Sequence, residues 1–187
     1  MQICSLVVER VQVGGRWPRQ VPAKIIIAFE TGSSCDFTTF YIRHPDVLPN
    51  CYNYRINGIT PEVLQERGEP EDEVMTLIQE LLRGKRIIAT TNEDIHDLGL
   101  DKYGFDCVIL QDFYTSGNQQ PISLQRLYYH FTGKPLFTSR RDPNFEAKFK
   151  ITLYYHMLGM RVSGKEPPFN DMADYPKQLP ILPPSEN

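Results

Sequence analysis

Two groups of basic residues hold much of the chemistry visible in this sequence. Arg10, Arg16, Arg19 and Lys24 surround Trp17, and Arg140, Arg141, Lys148 and Lys150 lie close together further on. An aromatic ring among guanidinium groups can stack on unpaired bases while the cations meet phosphates. The charge balance narrows that reading. The 187 residues contain 20 Lys and Arg against 23 Asp and Glu, a net charge of −3. A general nucleic-acid binder carries a basic surplus, so any RNA contact here rests on a local patch. Cysteines stand at positions 4, 35, 51 and 107 with no Cys-x-x-Cys spacing. They read as small buried thiols of a reducing compartment rather than as zinc ligands.

The elements that must position these groups follow from periodicity. Residues 3–13 alternate as a strand that ends at Gly14-Gly15. The prolines of residues 16–22 predict a loop. Ile25-Ile26-Ile27-Ala28-Phe29 reads as a strand covered on both faces, and Phe37–Ile42 as its hairpin partner across Gly32-Ser33-Ser34. Val74, Leu77, Ile78, Leu81 and Leu82 follow helical spacing, with Gly84 as a left-handed cap. Ile87-Ile88-Ala89 is a short buried strand. A short helix is expected over 94–98 and a fifth strand over 105–110. Helices starting at Ser123 and at Asp142-Pro143 are expected to close at Gly133 and Gly159. Acids at such helix starts usually have a structural role. Asp94 and Asp97 read as caps, and Glu146 as a first-turn acid favoured by the helix dipole.

The order β-β-β, helix, β, helix, β, helix, helix implies an α/β domain. Its mixed five-stranded sheet has three antiparallel N-terminal strands and flanking helices. Residues 1–163 form the domain, and 164–187 a proline-rich tail. No apolar run approaches the roughly 18–20 residues needed to span a bilayer. The opening nine residues are too short and too soon charged for a signal peptide, so an intracellular protein is expected.

Four stretches in order resemble one family. They are Tyr52-Asn53-Tyr54-Arg55-Ile56-Asn57-Gly58-Ile59-Thr60-Pro61-Glu62-Val63-Leu64, Leu81-Leu82-Arg83-Gly84-Lys85-Arg86-Ile87-Ile88-Ala89, Phe40-Tyr41-Ile42-Arg43-His44-Pro45, and Ser123-Leu124-Gln125-Arg126-Leu127 with Thr132-Gly133. Together they resemble the DEDD (DEDDh-type) 3′–5′ exonucleases of the RNA exonuclease and interferon-stimulated exonuclease kind. The resemblance implies a ribonuclease-H-like exonuclease fold. It also implies a chemistry in which two divalent metals clamp the attacking and leaving oxygens of a phosphodiester. Two carboxylates at i and i+2 of the first strand, one after the fourth strand and one on the last helix hold the metals, and a histidine acts as base.

Carried over by position, this chain departs from that pattern. Glu9 replaces the first aspartate and Val11 the strand glutamate. Asp94 or Asp97 stands for the third carboxylate. Arg141 replaces the histidine, and Glu146 the last aspartate. A valine cannot ligate a metal, and loss of a general base alone removes about 10²–10⁴-fold in rate. Arg141 could serve as a fixed cation in the metal's place. A competing register sets Ala28-Phe29-Glu30-Thr31-Gly32 on the family's strand motif, again with one carboxylate missing. The resemblance thus implies a degenerate exonuclease that binds a protein partner, RNA or its own copy in an RNA-related pathway, without a cofactor. Arg140, Arg141, Lys148, Lys150 and Trp17 would contact nucleic acid. The alternative is a weak magnesium- or manganese-dependent exonuclease on single-stranded RNA or DNA. A third reading is a purely structural domain of a longer protein.

Overall fold

The first three strands form one antiparallel meander: β1 Ile3–Val13, β2 Arg19–Thr31 and β3 Ser34–Tyr41. This comes from a computed structural model, which describes residues 1–14, 17–48, 57–114, 120–132, 136 and 142–162. Two short strands, β4 Arg86–Ala89 and β5 Asp106–Ile109, join parallel to β1 and to each other. The sheet order is β3-β2-β1-β4-β5, which makes β1 central. The mixed five-stranded sheet of the sequence reading is therefore present. The expected tail 164–187, the Gly133 helix end, Arg140 and Arg141 lie outside the described residues.

Helices cover both faces. In chain order they include α1 Pro61–Arg67, α2 Glu71–Leu82, α3 Asn92–Asp97, α4 Leu124–Thr132 and α5 Pro143–Val162. Leu6, Val8, Ile25 and Ile27 pack against Val74, Ile78, Leu82 and Ile95 of α2 and α3. On the other face Val7, Ile26 and Ala28 meet Ala147 and Ile151 of α5. Beyond them Ile88 packs with Leu127 of α4 and with Phe149, Leu153 and Met157 of α5.

Three local expectations are corrected. The loop expected over 16–22 gives way to strand from Arg19. Pro22 is accommodated because the ladder shifts there: Glu9 pairs with Lys24 but Arg10 with Pro22, which leaves Ala23 as an extra residue on β2. A bulge tolerates the missing N–H of proline. Helix α1 was not expected, although Thr60 caps it by accepting from the Val63 N–H at 3.2 Å and Pro61 stands at its first turn. The last helix runs past Gly159 to Val162, since a lone glycine costs only about 1 kcal/mol within a helix.

One glycine is sterically required. A side chain at Gly68 would collide with the Leu64 carbonyl and with the Arg43 backbone. Its absence lets Glu69 bridge to Ile42 just past the end of β3.

Candidate functional site

The central strand carries the expected site positions Glu9 and Val11, with Arg10 between them. Alternation along a strand sends Glu9 and Val11 to the α5 face and Arg10 to the face of α2 and α3. Glu9 is only 2% exposed. Lys24 stands directly opposite it on β2, with Nζ 3.6 Å from Oε2. Val11 is fully buried among Val13, Val21, Ala23, Val47, Ile59 and Leu64. The position where the resemblance calls for a second strand carboxylate is thus walled by aliphatic groups from α1 and the loop before it.

Arg10, which the sequence groups with the basic residues around Trp17, turns instead to acids of α3. Its Nη2 lies 3.0 Å from Asp94 Oδ1 and 2.7 Å from Asp97 Oδ2, and its Nε donates to Asp97 Oδ2 at 2.8 Å. Glu93 adds a looser contact at 3.8 Å. Burial alone would lower the pKa of the guanidinium, but the charge of Asp94 and hydrogen bonds to Asp97 and Asp94 outweigh it and hold the pKa raised. The cap of α3 is Thr91, whose Oγ1 accepts from the Asp94 N–H at 3.4 Å. The expectation that Asp94 and Asp97 act as caps is corrected accordingly: their carboxylates clamp Arg10 instead.

Glu146 lies in the first turn of α5, which Asp142 caps by accepting from the N–H groups of Asn144 and Phe145. One turn on, Lys150 is 1% exposed. Its Nζ donates to the Leu6 carbonyl at 2.5 Å and lies 3.6 Å from Glu146 Oε1. Lys150 is therefore no part of a surface basic patch. The helical turn that exposes Lys148 carries Lys150 inward onto the central strand. Ser5 Oγ ties the same junction by donating to the Ala147 carbonyl at 2.6 Å. Trp17 remains 82% exposed at the β1–β2 connection, and Arg19 beside it is exposed. Ala28 and Glu30, the positions of the competing register, fall on β2, whereas Glu9 and Val11 fall on the central β1.

The retained carboxylates are thus distributed among cations. Glu9 faces Lys24, Asp94 and Asp97 hold Arg10, and Glu146 sits beside Lys150. Among the described residues no group of three or more His, Cys, Asp or Glu side chains is placed to hold a metal ion. A divalent pair of the kind the resemblance implies does not fit this donor set. Val11 offers no oxygen, and Asp94 and Asp97 are drawn to the face opposite Glu9.

Comparison with solved structures shows the fold. The RNA-bound Pan2 pseudoubiquitin hydrolase–RNA exonuclease module of Saccharomyces cerevisiae matches over 88% of this chain with a TM-score of 0.70 and 18% identity. The Neurospora crassa Pan2 catalytic unit matches over 87% with a TM-score of 0.71 and 15% identity. Exonuclease I of E. coli with a dT13 oligonucleotide matches over 87% with a TM-score of 0.57 and 15% identity. The chain spans 30% and 28% of the two Pan2 chains and 42% of exonuclease I. No protein-family profile and no curated sequence matches it. The architecture is the exonuclease, ribonuclease-H-like fold that the four motifs implied. Among the described residues no helix is long and apolar enough to cross a membrane.

Proposed function

We propose that this chain is a catalytically silent DEDD-type exonuclease domain that serves as a binding or assembly module, for a protein partner or RNA, in an RNA-related pathway. One observation carries the reading: each carboxylate retained at a catalytic position is matched to a lysine or arginine of the chain itself. A resident cation neutralises these acids as a metal would but offers no open coordination position to a phosphodiester. The buried Val11 removes one ligand outright. The Pan2 module is in complex with RNA and exonuclease I with a dT13 oligonucleotide in the solved structures, which supports RNA as one class of occupant. The exposed Trp17, Arg19 and Lys148 are the groups suited to meet it.

End-labelled single-stranded RNA and DNA incubated with the protein and magnesium or manganese should remain intact. Shortening from the 3′ end that vanishes in Glu146→Ala would reverse the reading in favour of a weak exonuclease. RNA affinity measured across salt concentrations separates the two binding classes. A slope of log affinity on log salt reports phosphate contacts, and the absence of RNA binding leaves a protein partner.

A further inference from the structure

We infer that the open edge of β3 is a self-association surface on which a second copy of this chain adds its own β3 antiparallel. The inference is independent of whether the domain cuts nucleic acid.

The edge groups can be identified residue by residue. β3 pairs with β2 without a register shift from Thr31↔Ser34 to Lys24↔Tyr41. At its end the Ile42 N–H donates to the Ala23 carbonyl at 2.9 Å, towards β2, whereas the Tyr41 carbonyl accepts from the Glu69 N–H at 3.0 Å, away from β2. The two-residue period of a strand then turns the N–H and C=O of Thr39, Phe37 and Cys35 outward as well. Among the described residues nothing pairs with these groups.

Proteins usually protect such an edge by shortening it, bulging it, or placing lysine or proline on it. The far edge, β5, is four residues long and opens with Asp106 bound to Arg86. β3 is eight residues long and contains no lysine, arginine, proline or bulge. Phe37, in the middle of its outward-turned residues, is 42% exposed.

The occupant follows from the symmetry of the open stretch. The Glu69 bridge stops the edge at Tyr41, which among the described residues leaves the outward groups of Cys35, Phe37 and Thr39 open, with Phe37 at the centre. A two-fold axis there sets Phe37 against Phe37 of the second copy, Cys35 against its Thr39, and Thr39 against its Cys35. Each of these three facing pairs exchanges two bonds, about six in all. Asp36, the only charged residue of the strand, then faces Thr38 of the second copy rather than another Asp36. Like charges directly opposite would oppose pairing. The isologous contact closes after two copies and joins the sheets into one.

Sedimentation of the full chain should give a dimer. Phe37→Lys and Thr39→Pro should each halve the measured mass while leaving the circular dichroism of the fold in place, because position 39 turns its N–H outward and β2 does not need it. In a Cys35→Ser background, Phe37→Cys should form a disulfide between copies under mild oxidation. The roughly 5.5 Å Cα separation of a hydrogen-bonded pair suits that bond. A wild-type monomer would overturn the inference. So would a dimer that survives both edge substitutions and fails to cross-link through position 37.

Discussion

The ammonium of Lys150 donates to the Leu6 carbonyl at 2.5 Å, so a helix cation ends on the backbone of the central strand. Lys150→Met should remove that bond and also the ammonium that lies 3.6 Å from Glu146 Oε1. Breaking one side of a buried ion pair costs about 3–5 kcal/mol, which urea unfolding would read as a lower midpoint at unchanged slope. Adding Glu146→Leu should recover a large part of the loss, since apolar replacement of both partners is often neutral. A double variant as weak as the single one would contradict this account.

The clamp on Arg10 predicts a different asymmetry. Arg10→Ala leaves two carboxylates that had shared one guanidinium, and should cost about 2–3 kcal/mol. Arg10→Lys should rescue less than half of that, because a point-like ammonium cannot reach both acids with the planar fork of arginine. Thermal unfolding of the three proteins side by side provides the measurement.

Val11→Glu tests whether the missing ligand alone explains the lost site. The new carboxylate would lie among Ile59, Leu64 and Val21, with a penalty of about 3–5 kcal/mol for an uncompensated buried charge. The variant should be less stable and still inactive with manganese. Gain of nuclease activity from this one change would show that the cations are no obstacle.

Tyr155 donates to Glu30 at 2.6 Å, and that bond pushes its phenol up to about 12. The phenol is raised above its free value of about 10, so the bond's stabilisation is whole below about pH 10. It fades as pH climbs through about 12. Phenolate absorbance should show two late-titrating tyrosines, Tyr155 and the buried Tyr114, whose phenol burial also pushes up to about 12, and Glu30→Gln should return only Tyr155 towards about 10.

Burial pushes the Cys4 thiol up to about 12 and that of Cys107 to about 11. A free thiol ionises near about 8.5, so at pH 8 the Cys4 thiolate is scarce in the folded chain. The stabilisation from keeping Cys4 neutral is complete below about pH 8.5 and is lost as pH rises towards about 12. Disulfide-exchange labelling at pH 8 should therefore be slow at Cys4 when folded and fast in denaturant. Equal rates in both states would contradict its burial.

Much of the fold was legible because strands and helices announce themselves locally. The alternation of residues 3–13 and the spacing of Val74, Ile78 and Leu82 reappear as β1 and α2. The site was less legible because its pairings are remote. Arg10 meets Asp94 and Asp97 across separations of 84 and 87 residues, and a polar residue near a strand end resembles any solvated one. Lys150 carried a usable signal that was overlooked: it follows Glu146 by four positions and is flanked by Phe149 and Ile151. A lysine on that apolar side of a helix must find a buried acceptor. The Thr60-Pro61 start of α1 is likewise a capping signal in the sequence, but it lies inside the stretch that carries the family resemblance, and the helix after it is only seven residues long.

Ser5 binds Ala147, and Lys150 reaches Leu6, across 142 and 144 residues of chain. During synthesis the α5 face of the first strands, with Val7, Ile26 and Ala28, stays uncovered until almost the whole domain has been translated. Ribosome-bound fragments that end before Pro143 would display that apolar face to chaperones. The last helix is in that sense the folding checkpoint of the domain, and a premature stop before it yields a sticky fragment rather than a smaller working unit.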